Sequence, residues 1–152
     1  MKKLLVLAIK MGTVIDHISS KESLKIIKLL NISQIENRIT IGVNLLSQKL
    51  GKKDLIKIEN IQLSQKEAQL IALFAHSASI NLIENYKVVK KYKNKLPETI
   101  RSILVCPNKT CITNFEKTST YFQVEQNDLT VELHCKYCQK KFLKEAIKEF
   151  KN

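Results

Sequence analysis

Arg38-Ile-Thr-Ile-Gly-Val-Asn-Leu45 places Ile39, Ile41, Val43 and Leu45 at every second position. Side chains along a strand alternate between faces, so this octet predicts a strand with one face half-buried. Downstream, Leu55–Ile61 alternates in the same way. Ser64 with Glu67 three residues on forms a capping box, and Leu70, Ile71 and Phe74 continue at helical spacing. Ser79–Glu84 and Lys87–Tyr92 read as two closing strands around a turn at Asn85. Upstream, Lys3–Lys10 is an apolar, β-favouring run. Ser19 with Glu22 reads as another capping box, followed by Leu24, Ile27 and Leu30 at helical spacing. The order βαββαβ plus one strand predicts an α+β, ferredoxin-like antiparallel sheet with two helices on one face.

The pattern changes near Leu96-Pro97, after the lysine-rich stretch Lys87 to Lys95. Proline restricts both itself and the residue before it, so the expected boundary divides the chain into 1–97 and 98–152. The second part predicts short strands at Thr120–Glu125 and Thr130–His134 and a weak helix at Lys140–Phe150. A unit of this size buries too little apolar surface to fold easily unaided. All four cysteines lie within it, as Cys106-Pro-Asn-Lys-Thr-Cys111 and Cys135-Lys-Tyr-Cys138. Two close pairs bring four thiolates to one tetrahedral ion, and a shell closed by four thiolates is structural. Zinc is the expected ion, with iron also compatible. A disulfide pairing and a redox Cys-Lys-Tyr-Cys pair are the weaker alternatives. His134, beside Cys135, has no open position to fill on such an ion. The small mostly-β unit is therefore expected to be stapled by its metal.

Formal net charge is +12, carried unevenly. Residues 1–97 hold 17 basic against 7 acidic side chains, and 98–152 hold 9 against 7. Only Arg38 and Arg101 are arginine, the usual reader of guanine edges. Lysine excess in the first part suits small phosphorylated ligands. A zinc-ribbon nucleic-acid-binding protein is the alternative function. The positive excess lies away from the cysteines, and aromatic residues are only 6%, which leaves few stacking platforms. No nucleic acid is therefore expected as a partner. No stretch approaches the ~20 apolar residues of a membrane span, so no membrane is expected either. The opening MKKLLVLAIKMG is interrupted by Lys10 and carries no small-residue cleavage site. With reduced cysteines, this predicts a cytoplasmic protein. No nucleophile–base arrangement is visible.

Three stretches carry a family resemblance: Ala8-Ile-Lys-Met-Gly-Thr-Val-Ile-Asp-His-Ile18; Arg38-Ile-Thr-Ile-Gly42 with Lys53-Asp-Leu-Ile-Lys-Ile-Glu-Asn60; and Leu104-Val-Cys-Pro-Asn108 with the cysteine spacing. Together they resemble the aspartate carbamoyltransferase regulatory chain from end to end. The resemblance implies a non-catalytic subunit in pyrimidine biosynthesis that binds CTP, ATP or UTP allosterically through 1–97. It implies that 98–152 holds one structural zinc through Cys106, Cys111, Cys135 and Cys138 and docks the catalytic chain. It further implies a homodimer of regulatory chains that links catalytic trimers. Base and ribose would meet Val6, Ala8, Ile9, Asp16, Lys57, Asn81, Ile83, Tyr86 and Val88. Phosphates would meet His17 and Lys91. Lys10 and Lys53 would reach phosphates or support a second nucleotide with magnesium. The chain departs from the family pattern at Leu7 and Met11, where polar or basic residues can stand, and in the extra charge of Lys90.

Overall fold

The first strand begins at Gly12, a position where no side chain fits. Its φ is +138°, and a Cβ would lie 2.0 Å from the Ile58 carbonyl oxygen. The computed structural model describes residues 7–92 and 95–151. Contacts divide the chain into two units, one ending at Lys95 and the next starting at Leu96.

In the first unit, β1 (Gly12–Ser19) leads to α1 (Ser23–Leu29), the hairpin β2 (Ile39–Ser47) and β3 (Gly51–Glu59), α2 (Gln65–Phe74), β4 (Ser79–Glu84) and β5 (Lys87–Tyr92). The sheet order is β2-β3-β1-β4-β5, antiparallel throughout. This is the ferredoxin-like arrangement with one added edge strand, as the element order implied. Ile15, Ile18, Ile56, Ile58 and Ile80 from the sheet pack against Ile26 of α1 and Ala68, Ile71 and Ala75 of α2. That core lies on one face and leaves the other open.

The α2 capping box forms as expected: the Glu67 N–H donates to Ser64 Oγ at 3.2 Å, and the Ser64 N–H donates to Glu67 Oε2 at 2.7 Å. Asn85 and Tyr86, at φ 50° and 65°, turn β4 into β5. Two successive left-handed residues are what a two-residue hairpin with native twist requires.

Four expectations for this unit need correction. Of the predicted strand Lys3–Lys10, residues 3–6 fall outside the described residues and Leu7–Lys10 is not in a strand. The carbonyl of Leu7 accepts from Lys57 Nζ at 2.7 Å, and that of Lys10 accepts from the Tyr86 N–H at 3.0 Å. The box at Ser19 does not form. Glu22 is the N-cap without a side-chain bond, while the Ser19 hydroxyl meets Ser77 Oγ at 3.1 Å. In β2 a bulge between Gly42 and Leu45 breaks the alternation, and Ile41 and Val43 are exposed on the sheet edge. The strand predicted at Leu55–Ile61 starts earlier and ends at Glu59. Ile61 instead offers its carbonyl to the buried Thr13 hydroxyl at 2.7 Å.

The second unit is a four-stranded antiparallel sheet, β6 (Thr99–Arg101), β7 (Tyr121–Gln126), β8 (Val131–Cys135) and β9 (Lys141–Leu143), paired in that order. Its core is Ile100, Leu104, Phe122, Leu133 and Ile147. The predicted helix at Lys140–Phe150 is absent. β9 and a 3-10 turn at Lys144–Ala146 occupy its first half. Fully buried Ile147 and the bridge of Phe150 to Leu104 then hold the rest extended. Tertiary burial overrides a weak propensity here. No helix among the described residues is long and apolar enough to cross a membrane.

Candidate metal centre and ligand surface

The two cysteine turns are built by their own polar neighbours. The Asn108 carbonyl accepts the Cys111 N–H at 2.9 Å, and its side-chain oxygen accepts the Thr110 hydroxyl at 2.9 Å. Asn114 Nδ2 donates to the carbonyls of Cys106 at 3.0 Å and Asn108 at 2.8 Å, closing the first turn. The second turn leaves β8 at Cys135 and reverses at Gln139, φ 63°, whose N–H donates to the Cys135 carbonyl at 3.0 Å.

These turns bring the sulfurs of Cys106, Cys111, Cys135 and Cys138 within 4.8 Å of one another. The Cys106–Cys138 and Cys111–Cys135 pairs stand at 3.8 Å. A disulfide needs about 2.05 Å, so the four thiols are not bonded in pairs. A tetrahedron with zinc–sulfur bonds of about 2.3 Å has edges of about 3.8 Å, and the cluster fits it.

Burial pushes the Cys106 and Cys135 thiols up. Burial acts upward on Cys138 too. Hydrogen bonds from the Asn108 side chain, the Lys140 backbone and the neighbouring thiols outweigh it and bring Cys138 down to about 7. A cation at the centre would supply the charge the buried thiolates need. His134 lies apart from the cluster, with Nδ1 3.9 Å from Glu125. Asn108 and Asn114 were not visible as supporting residues in the sequence, although an asparagine two residues after a cysteine is a turn signal.

A second candidate site is the open face of the first sheet. Residues paired directly across antiparallel strands share a face. One rung runs Lys57 (β3), Val14 (β1), Asn81 (β4), Lys91 (β5). The next rung joins Gly12, Ile83 and Val88. Asp16, two residues beyond Val14, falls on the same face. Its carboxylate lies 2.9 Å from Lys53 Nζ and accepts the His17 N–H at 2.6 Å. Burial lowers the Lys57 pKa, and the Asp16 carboxylate opposes that shift.

The segment before β1 approaches this face through Leu7, bonded to Lys57, with Ala8 and Lys10 exposed and Ile9 buried. Tyr86, at the hairpin turn, is exposed and anchored to Lys10 by its backbone. Val6 lies outside the described residues. Asp16, Lys53, Lys57, Asn81, Ile83, Val88 and Lys91 thus come together from four strands. Sequence reading missed the supports behind them. Ser77 donates its hydroxyl to the His17 carbonyl at 2.9 Å. Asp54, fully buried, reads in the sequence as one more charge in Lys52-Lys53-Asp54.

Comparison with known proteins gives two family matches along the chain. Residues 4–95 match the family described as aspartate carbamoyltransferase regulatory chain, allosteric domain, and residues 98–148 match its metal binding domain. The chain is 46% identical over 147 residues to the aspartate carbamoyltransferase regulatory chain of Vibrio cholerae serotype O1, covering 97% of this chain and 95% of that one. It is 45% identical over 142 residues to that of Aeromonas hydrophila, covering 93% and 92%. It is 47% identical over 145 residues to that of Photorhabdus laumondii, covering 95% and 94%.

Proposed function

This chain belongs to the family of aspartate carbamoyltransferase regulatory chains, and from that premise we propose that it senses CTP, ATP and UTP on its open sheet face and transmits the signal to the catalytic chain. As a regulatory chain it is the non-catalytic subunit of that enzyme, with an allosteric and a metal-binding domain, and it serves pyrimidine biosynthesis. The observation that carries the effector reading is the convergence of Asp16, Lys53, Lys57, Asn81 and Lys91 on one face. Lysines from separate strands supply countercharge for a triphosphate, with magnesium accompanying the nucleotide. Backbone groups of the Ala8–Ile9 segment read the base.

Zinc is the ion we assign to the cysteines, one per chain, because four thiolates give it a closed tetrahedral shell. Four reduced thiols also suit the cytoplasm. Ile112, Phe115 and Tyr137, next to or between the ligands, are exposed apolar side chains, Phe115 by 74%. Such a patch beside a rigid metal turn supports docking on the catalytic chain. The exposed β2 edge, with Ile41, Val43 and Leu46, supports pairing with a second regulatory chain. Regulatory dimers of this kind link catalytic trimers. Calorimetric titration of CTP into the full chain tests the effector reading. We expect saturable binding of one nucleotide per open face, weakened by Lys57→Ala. Absence of binding by the unsubstituted chain would refute it.

A further inference from the structure

Two β-bulges flank β3 at one point. In β1, Ile15 pairs with Ile56 and Ile18 with Asp54, so one extra residue is inserted. In β2, Gly42 pairs with Leu55 and Leu45 with Lys53, which inserts another. Each bulge contains a left-handed residue that is not glycine, His17 at φ 55° and Asn44 at φ 58°. Such backbones persist only where their surroundings hold them.

Asp54 ties the β2 bulge to the segment that follows β1. It is 0% exposed. Its Oδ1 accepts the Asn44 N–H at 3.0 Å, fixing the bulge of β2. Its Oδ2 accepts the Lys21 N–H at 2.8 Å and the Ser23 hydroxyl at 2.5 Å, fixing the chain as it leaves β1. The adjacent residue, Lys53, projects to the opposite face, where its ammonium meets Asp16 beside His17.

The geometry points to Asp54 as a positioning residue for the phosphate end of the effector site. It acts through the β2 bulge and the segment that follows β1, on Lys53 and on His17 upstream of that segment, and never touches the nucleotide. This rests on the effector reading above. Asparagine keeps the size of Asp54 but can present an acceptor to only one of the two backbone N–H groups. Either the β2 bulge or the segment after β1 therefore loses its anchor.

The test is calorimetric titration of CTP and of cytidine into the full-length, zinc-loaded chain, well below its unfolding temperature. Asp54→Asn is expected to weaken CTP roughly three- to thirtyfold, in the range of coupling between neighbouring groups, and to leave cytidine unchanged. The same substitution in a His17→Ala, Lys53→Ala background is expected to add nothing. Ser23→Ala, which keeps the carboxylate and removes one donor, serves if the asparagine variant does not fold, with a smaller loss of the same pattern. Equal weakening of CTP and cytidine would overturn the inference, since loose packing does not distinguish phosphate from base. So would unchanged CTP affinity in both variants. If the unsubstituted chain binds neither ligand, the effector reading itself falls and takes this role with it.

Discussion

Cys138→Ser removes one of four sulfurs from a cluster whose geometry leaves no substitute. His134 is committed toward Glu125, and no other metal-binding side chain among the described residues joins the group. Structural zinc contributes on the order of 10–16 kcal/mol to folding a small domain. Shared over four ligands, one thiolate accounts for about 2.5–4 kcal/mol, or two to three orders of magnitude in metal affinity. The second unit has a short apolar core, Ile100, Leu104, Phe122, Leu133 and Ile147, and strands of three to six residues. It has little reserve once the staple loosens. The first unit has its own core on the helix face of its sheet and should stand. Zinc content by mass spectrometry and segment-resolved hydrogen exchange read both halves. We expect metal loss and rapid exchange from Leu96 onward, with protection in β1, β3 and β4 unchanged. A variant that kept one zinc and a protected β7–β8 pair would mean that the second unit does not depend on Cys138.

The thiols give a pH prediction. Cys106 and Cys135 have pKa values raised by burial and are protonated in the metal-free cluster at neutral pH. Zinc must displace those protons, so affinity falls as pH is lowered, and titration at pH 7 should release at least two protons per ion, measured in buffers of differing ionisation enthalpy. On the open face, Lys57→Ala should weaken CTP and cytidine alike, while Lys91→Ala should weaken CTP more. Each loss should be roughly ten- to a hundredfold at low salt and smaller at high salt, from a charge-assisted bond contributing ~1.5–3 kcal/mol. Because burial lowers the Lys57 pKa, a base or ribose oxygen that accepts from its ammonium should draw a proton onto that amine as pH rises toward its titration. Proton uptake on CTP binding should therefore be lost in Lys57→Ala. Gly12→Ala places a Cβ 2.0 Å from the Ile58 carbonyl and should cost on the order of 2–4 kcal/mol, seen as a lower Tm for the first unit.

The fold was largely legible because its strongest signals are local. The Ser64–Glu67 box and the strands Ser79–Glu84 and Lys87–Tyr92 around Asn85 depend on residues a few positions apart. The sequence points to Lys3–Lys10 as the first strand because it is the more apolar run. Gly12–Ser19 is fixed instead by pairing with β3 and β4 on both sides, which periodicity does not report. The helix expected at Lys140–Phe150 failed for a related reason, since its backbone bonds go to the distant segment around Leu104. The metal cluster was readable because cysteine spacing is itself the geometry. The candidate ligand surface was not readable from periodicity, since the rung of Lys57, Asn81 and Lys91 exists only once three strands are in register. Only the resemblance named those residues. The buried support from Asp54 was hidden by its charge.

If this chain couples nucleotide binding to a catalytic partner through a metal-held unit, the two chains should travel together. Co-purification with the catalytic chain from the same cell, followed by native mass of the assembly before and after zinc removal, measures this. One large complex of both chains is expected, dissociating when zinc is removed into catalytic trimers that remain active. A regulatory chain that never joins the catalytic chain, or trimers that lose activity when it leaves, would contradict it.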